Sequence, residues 1–229
     1  MVDTAIVRAS VSYDYDEGHV SRLFTKLNTI WVLVTYPFAG THSKLRLHYT
    51  SEISRCDAKR ISLGDRVEIG KHTCLFAYFE GIHALKLVLE EDCRIGPRCI
   101  ISSRNSIHLE RGVVLESDAL IMDHAHAYED ISKPIILQGM TSGGQIRIGD
   151  GCLIGRGAVI LCGENRQLTL GKHCVVAPRA VVTRSFPVGS IISGNPATAI
   201  RNVATAQIRD GSRIDATYAE NFQHDHISR

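Results

Sequence analysis

The sequence has no apolar run long enough to span a membrane, and its most apolar stretch, residues 30–38, is flanked by polar residues. Its first ten residues lack the basic start and apolar centre of a secretory signal. The formal net charge is only +2 at pH 7, which gives no support for nucleic-acid binding. We therefore expect a cytoplasmic protein with no transmembrane segment and no nucleic-acid partner.

Two common sets of functional signatures are also missing. The seven cysteines form no CxxC pair, and an odd number does not suit a framework of disulfides. Neither GxGxxG nor GxxxxGK[ST] occurs, so the sequence offers no phosphate-binding loop for nucleotide hydrolysis or dinucleotide redox chemistry.

What the sequence does contain is an internal repeat. Five ten-residue segments share one pattern of aliphatic, charged and small residues. They are ISLGDRVEIG from Ile61, LVLEEDCRIG from Leu87, IHLERGVVLE from Ile107, IRIGDGCLIG from Ile146 and LTLGKHCVVA from Leu168. An aliphatic residue then recurs every six positions, as at Leu63, Ile69 and Leu75. The period of six indicates short strands separated by corners.

Three such hexapeptides close one turn of a triangular solenoid of parallel strands, and each turn needs its neighbours to bury its apolar side. The aliphatic residues point into a narrow prism, where only small or β-branched neighbours fit. These neighbours are Val67, Cys93, Val113, Cys152 and Cys174. We predict about five coils between Ile61 and Pro187, with the three cysteines buried and unbridged. The alternative, a β-sandwich or barrel of short strands, has no reason to keep a six-residue register.

The repeats resemble those of the hexapeptide-repeat acyltransferases, whose fold is a left-handed parallel β-helix. The resemblance implies the left hand, which the spacing alone does not give. It covers residues 61–203, our predicted acyltransferase domain, with a loop insertion at 127–145. Residues 1–60 form a predicted N-terminal segment, and residues 204–229 form a predicted polar tail of unknown role.

A helix is predicted from His19 to Val34, because apolar residues recur there at helical spacing. The stripe consists of Val20, Leu23, Phe24, Leu27, Ile30 and Trp31. We expect it to pack as a lid on the end of the solenoid. A membrane-surface anchor is the less favoured alternative.

The chemistry is expected where the repeat breaks, in IMDHAHAYED, because interruptions of a regular solenoid commonly carry function. Ile121 takes the aliphatic position and Ala125 the small one, which puts His126 at a corner just before the longest insertion. The segment resembles the DHxH-x-Tyr stretch of bacterial polysaccharide and lipopolysaccharide O-acetyltransferases. That resemblance implies that His126 is the catalytic base. His124 and Asp123 are our further catalytic candidates: His124 would orient His126 or contact substrate, and Asp123 would fix an imidazole tautomer or bind acceptor hydroxyls.

Two other interpretations of these residues stay open. His-x-His can bind zinc, but a catalytic zinc needs a third protein ligand, and no spacing here supplies one, so we expect no metal. Asp123 could equally be an ordinary corner residue. In the loop, Pro134 and the Thr141–Gly144 run suggest a shaped lobe with a mobile exit.

Acetyl-coenzyme A is the expected donor, and the last two coils are the expected place for it. Small residues at corners, namely Gly157, Ala158, Ala177 and Pro178, would let a pantetheine arm lie along the backbone. Thr183 and Arg184 match the Thr-Lys pair that contacts coenzyme A in similar sugar acetyltransferases. The ending PVGSIISGNPATAIR is typical of the same group and adds Asn195 and Arg201, although it also fits a plain terminal cap. Leu153 departs from the family, which often has Trp there.

The resemblance implies an acetyl-coenzyme A-dependent O-acetyltransferase that modifies a sugar hydroxyl of a polysaccharide, lipopolysaccharide or related glycoconjugate precursor, working as a homotrimer. An N-acetyltransferase of amino sugars or antibiotic-like small molecules is the first alternative, because an amine acceptor needs the same base. A solenoid scaffold without activity is the second.

Overall fold

The computed structural model describes residues 18–41, 43–78 and 84–202. It contains a three-sided parallel β-solenoid with one α-helix, α1 (His19–Thr35), before the first coil. The predicted tail at 204–229 and the first part of the N-terminal segment lie outside the described residues. No helix in the described part of the chain is long and apolar enough to cross a membrane.

The strands lie on three faces, each a mainly parallel sheet. The first face consists of β1 (Gly40–Thr41), β4 (Ile61–Leu63), β7 (Leu87–Leu89), β10 (Ser106–Leu109), β13 (Gln145–Ile148) and β16 (Gln167–Leu170). The second consists of β2 (Arg46–Leu47), β5 (Glu68–Ile69), β8 (Arg94–Ile95), β11 (Val114–Leu115), β14 (Leu153–Ile154), β17 (Val175–Val176), β19 (Ser190–Gly194) and β20 (Ala197–Asn202). The third consists of β3 (Glu52–Ile53), β6 (Cys74–Ala77), β9 (Ile100–Ser103), β12 (Leu120–Met122), β15 (Val159–Leu161) and β18 (Val181–Val182). Two 3-10 helices span Ala58–Arg60 and Ile135–Leu137.

The solenoid is all-β with parallel coils, as predicted, and its arrangement is consistent with a left-handed β-helix. It has about six turns rather than five, because β1, β2 and β3 form a coil ahead of Ile61. Thr41, Leu47 and Ile53 keep the six-residue period in this coil. The sequence pattern missed it because a threonine begins the series, and His48 stands where the next coil has Gly70.

The interior has the predicted composition. Every aliphatic residue in the six-residue series from Leu63 to Val182 is buried, and so are the five small or β-branched neighbours. All seven cysteines are free thiols. Burial raises the pKa of Cys93 and of Cys99 to about 12, so both stay protonated and neutral at physiological pH. These cysteines therefore behave as small apolar core residues.

Helix α1 packs against β2 at the open end of the solenoid, where the lid was predicted, but the prediction that its apolar stripe forms the contact is wrong. The buried residues of the helix are Thr25, Thr29 and Val32, and the apolar stripe faces outward. The Thr29 Oγ1 atom accepts a hydrogen bond from the Leu47 N–H at 2.9 Å and lies 3.2 Å from the Leu47 carbonyl. The helix thus presents hydroxyl groups to an unpaired strand edge, and that orientation places its apolar face outside.

Candidate active site at the loop edge

One edge of the prism collects most of the predicted catalytic residues. We call it the loop edge, and it consists of the residues that follow the third-face strands, namely 103–105, 123–126, 162–164 and 183–184. Strands β9, β12, β15 and β18 are successive neighbours in one parallel sheet. The four groups therefore stack along the edge at about 4.8 Å per coil. The long loop, residues 127–144, leaves and rejoins the solenoid at the second group.

Asp123 is fully buried at this edge. Its carboxylate accepts hydrogen bonds from the backbone N–H groups of Arg104, Asn105 and Ser106 at 2.8–2.9 Å. It also accepts one from the Ser103 hydroxyl at 3.0 Å. Ser103 ends β9 and Ser106 begins β10, so the carboxylate binds the segment that joins the preceding coil to its own, and these aligned donors stabilise its charge. Asp123 is thus an interior residue rather than an ordinary corner.

His124 is the imidazole that Asp123 orients. Its Nδ1 lies 2.8 Å from the Asp123 Oδ1, and the side chain is 2% exposed. A carboxylate only accepts, so Nδ1 is the nitrogen that donates in this contact. The edge of the His124 ring meets Tyr78 at a centroid distance of 5.4 Å and an angle of 85°. His124 is therefore fixed in orientation and almost enclosed.

His126 lies two residues further on and is exposed. Its backbone pairs with Met140 as an isolated antiparallel bridge, so the start and end of the long loop run side by side. Within the described residues no hydrogen bond involves its ring. Ala125 is exposed as well, so the prediction that it fills a core position is wrong. The interior position after Ile121 belongs to Asp123 instead, because β12 ends there and the chain turns outward.

The loop exit is anchored rather than mobile. The Thr141 N–H donates to the Ala125 carbonyl at 2.8 Å, and the Gly144 N–H donates to the Asp123 carbonyl at 2.7 Å. Gly143 and Gly144 are both buried. A Cβ atom on Gly144 would lie 2.4 Å from the Gly163 carbonyl oxygen, so the close approach requires glycine. The small residues of the Thr141–Gly144 run therefore allow the loop exit to pack closely against the next coil.

The tip of the loop is built differently from its exit. The Gln138 amide bonds to the backbone of Asp130 and Lys133, which closes the tip on itself. Several apolar side chains there face solvent. They are Tyr128, Ile131, Ile135, Ile136 and Leu137, with Ile131 fully exposed.

The predicted donor residues fall into three groups. Thr183 and Arg184 are exposed on the loop edge, two coils from His126, which corresponds to about 10 Å. The Arg184 guanidinium lies 5.1 Å from the centre of the Phe186 ring. They are the donor candidates that share an edge with the histidines.

The second group lies on a different edge, between the second and third faces. Gly157, Ala177 and Pro178 are corner residues there, and Asn195 follows β19 beside them. Ala158 is buried in the interior, so its side chain is closed to a cofactor. The third group is Arg201, exposed on β20 opposite Ile191. Strands β19 and β20 form a terminal hairpin, where the sequence analysis predicted only a cap.

The structure adds residues that the sequence did not single out. Tyr78 packs on His124, and the donors after β9 bind Asp123. Nothing in the repeat pattern marks them, because backbone N–H groups have no sequence signature and Tyr78 belongs to a coil two turns away. Among the described residues, no group of three histidines, cysteines or carboxylates is placed to hold a metal ion.

Comparisons with known proteins agree with the repeat architecture. Residues 86–118 and 145–184 match a family described as hexapeptide repeat of succinyl-transferase. A protein named Probable acetyltransferase from Mycobacterium tuberculosis is 27% identical over 75% of this chain and 56% of its own length. A 2,3,4,5-tetrahydropyridine-2,6-dicarboxylate N-acetyltransferase from Staphylococcus aureus is 38% identical over 29% of this chain and 26% of its own length.

Among solved structures, a variant of the N-acyltransferase AntD from Bacillus cereus superposes with a TM-score of 0.61 at 15% identity. It covers 85% of this chain and 94% of that one, and it was crystallised with dTDP-4-amino-4,6-dideoxyglucose and coenzyme A. By contrast, the chain spans only about half the length of the Mycobacterium tuberculosis protein and about a quarter of the Staphylococcus aureus enzyme. The predicted hexapeptide-repeat architecture, with sequence similarity to acetyltransferases, is confirmed.

Proposed function

We propose that this hexapeptide-repeat protein is an acyltransferase that moves an acetyl group from coenzyme A to an acceptor at the loop edge. The observation that carries the proposal is the pair of histidines at the one long break in the solenoid. There an exposed His126 stands beside a buried Asp123–His124 pair. Acyl transfer to a hydroxyl requires a base at the acceptor, and imidazole suits that task near neutral pH.

In the proposed mechanism His126 takes the proton of the acceptor hydroxyl while the oxygen attacks the thioester carbonyl. The carbon–sulfur bond then breaks, and His126 returns the proton to the leaving thiolate. Backbone N–H groups stabilise the negative charge on the carbonyl oxygen. The exposure of His126 supports this role, because the base must touch the acceptor, whereas His124 is almost enclosed. His124 and Asp123 then act as positioning residues that hold this part of the edge rigid.

Arg184 is the proposed contact for a coenzyme A phosphate, since it is a cation on the same edge as His126. Thr183 lies beside it. Gly157, Ala177, Pro178, Asn195 and Arg201 remain donor candidates on the neighbouring edge and hairpin.

We further propose a sugar hydroxyl as the acceptor, a homotrimer as the working form, and the cytoplasm as the compartment. The loop tip supports the trimer, because its exposed isoleucines and leucine would be covered by a neighbouring subunit. Seven free thiols suit a reducing compartment. N-acetylation of an amino sugar or another amine is the second candidate, favoured by the 38% identity to an N-acetyltransferase over 66 residues.

The direct test measures thiol release from acetyl-coenzyme A with a panel of sugars and amino sugars, followed by mass spectrometry of the acetylated products. An ester product supports O-acetylation, and an amide product supports the second candidate. A rise in melting temperature with coenzyme A, but not with pantetheine alone, would report phosphate contacts to the native state. A melting temperature that does not change with either, together with no transfer to any acceptor, would leave the inactive scaffold as the better account.

A further inference from the structure

Helix α1 has an apolar surface that the solenoid leaves uncovered. Its large apolar residues are between 53% and 80% exposed. They are Val20, Leu23, Phe24, Leu27, Ile30, Trp31 and Val34. At 100° per residue they occupy about 120° of the helix circumference, so they form one continuous stripe along all of α1. An exposed stripe of this size marks an interaction surface.

The orientation of the helix is fixed by its contacts with the first coil. The Leu47 N–H donates to the Thr29 hydroxyl at 2.9 Å, and the Asn28 amide donates to the Leu47 carbonyl at 3.3 Å. Rotating the stripe inward would break these hydrogen bonds and expose the edge of β2. The apolar face therefore stays outward while the helix is bound to the solenoid.

Basic residues border one side of the stripe. A groove between α1 and the first coil is lined by His19, Arg22 and Lys26 from the helix and by Lys44 and Arg46 from the coil. None of the described groove residues is acidic, and α1 itself contains no Asp or Glu. Apolar groove residues such as Ile30 and Leu33 continue into the stripe. The surface thus combines an apolar strip with a cationic border.

We propose that α1 docks the protein on the surface of an anionic phospholipid bilayer. The stripe enters the boundary between headgroups and acyl chains, and the basic groove receives lipid phosphates. A helix with aromatic and aliphatic residues on one face and lysine or arginine beside it is suited to this interfacial position. Trp31 lies on the stripe, where an indole ring is favourable at the membrane boundary.

A second copy of the chain is a poorer occupant. Packing two such helices about a symmetry axis would bring Lys26 of one copy towards Lys26 of the other, and neither helix carries a carboxylate to offset that repulsion. Anionic headgroups offer the charge that complements Lys26 and Lys44. This inference does not depend on the proposed transferase activity.

The test uses the fluorescence of Trp31, the only tryptophan in the chain. The full-length protein is mixed with vesicles of phosphatidylcholine alone, or with vesicles in which phosphatidylglycerol replaces part of it. We expect a blue shift and co-sedimentation with the anionic vesicles, and both should weaken as salt is raised. Equal binding to both vesicle types, or binding to neither, would overturn the proposal.

Variants separate the two parts of the surface. Leu27→Ser with Ile30→Ser should abolish the blue shift while leaving the melting temperature unchanged, because both side chains are exposed. Lys26→Gln with Lys44→Gln should lower partitioning to anionic vesicles by about 25-fold, at about fivefold for each cation near the surface. Lys59→Gln, an exposed lysine outside the groove, is the control and should change little. A blue shift that appears on concentrating the protein without lipid, with a matching increase in mass, would assign the stripe to self-association instead.

Discussion

The three edges of the prism turn the chain in two different ways. At the two edges that flank the second face, each coil after the first turns through one residue with a left-handed backbone conformation at each edge. Between the second and third faces these residues are His72, Arg98, Asp118, Gly157 and Arg179, with φ between 55° and 66°. At the loop edge, the described residues show no such repeated position, and coils are joined by longer segments. A regular turn on two edges leaves the third free to carry an irregular, functional segment.

The largest expected effect tests whether the chemistry belongs to the loop edge. His126→Ala should fold normally, since the side chain is exposed, and should lose about 10²–10⁴-fold in turnover, the usual contribution of a positioned general base. His124→Ala should lose less. Steady-state kinetics with acetyl-coenzyme A measures the loss of turnover in both variants.

His173→Ala is the matched control, because it removes an imidazole from a turn edge. The opposite ranking of His124 and His126 would make the oriented, enclosed imidazole the base. Normal turnover in both variants would remove the loop edge from the chemistry.

The next largest effect compares two aspartates, one on each kind of edge. Asp123→Asn puts an amide NH₂ among buried N–H donors and removes a paired charge, so it should lower the free energy of unfolding by about 3–5 kcal/mol. Asp118→Asn, which breaks an exposed contact with Arg98 on a turn edge, should cost less than about 1 kcal/mol. Chemical denaturation measures both. Equal losses of unfolding free energy in the two variants would mean that the buried hydrogen-bond network of Asp123 adds nothing to stability.

The pH dependence of Asp118→Asn sharpens this comparison. A hydrogen bond from Arg98 lowers the pKa of Asp118 below its usual value. A carboxyl with a lowered pKa stabilises the folded state at neutral pH, and the contribution disappears as the pH falls through that lowered value. The difference in stability between wild type and variant should therefore shrink on acidification.

The interior of the solenoid was predictable because its geometry has a sequence period. A residue such as Ile95 or Cys152 must be apolar and of limited size wherever the chain passes through the prism, so six-residue spacing identified the core. The helix at 19–35 was predictable from its own spacing for the same reason.

The burial of individual site residues and the orientation of α1 depend on contacts between distant parts of the chain, which no local sequence pattern encodes. The burial of Asp123 follows from N–H groups of another coil, and the outward stripe of α1 follows from Thr29 bonding to a strand edge. Periodicity marks an amphipathic helix but does not say which face the protein covers. The choice between His124 and His126 likewise rests on burial and orientation, which the sequence left to the family resemblance.

Two glycines test how tightly each edge is packed. Gly144→Ala at the loop edge places a Cβ atom against the backbone of the next coil and should destabilise the protein by about 1–3 kcal/mol. Gly157→Ala at a turn edge finds its nearest atom at 3.6 Å and should cost only the strain of its positive φ, about 1 kcal/mol. The Gly144 variant should also weaken activity if the seated loop exit holds the base in place. A larger loss for Gly157 would show that the turn edges, not the loop exit, limit stability.

The smallest expected effect is on KM for acetyl-coenzyme A, and it tests along which edge of the prism that acyl donor binds. Arg184→Ala should raise KM for acetyl-coenzyme A about tenfold with little change in turnover, because a phosphate contact remote from the thioester contributes equally to ground-state and transition-state binding. Arg184→Lys keeps the charge and should recover most of the affinity. Arg201→Ala, on the terminal hairpin, should have a weaker effect, since that strand lies on the second face, away from His126. The reverse order would move the donor to the hairpin. An unchanged KM in both variants would exclude both arginines as phosphate contacts.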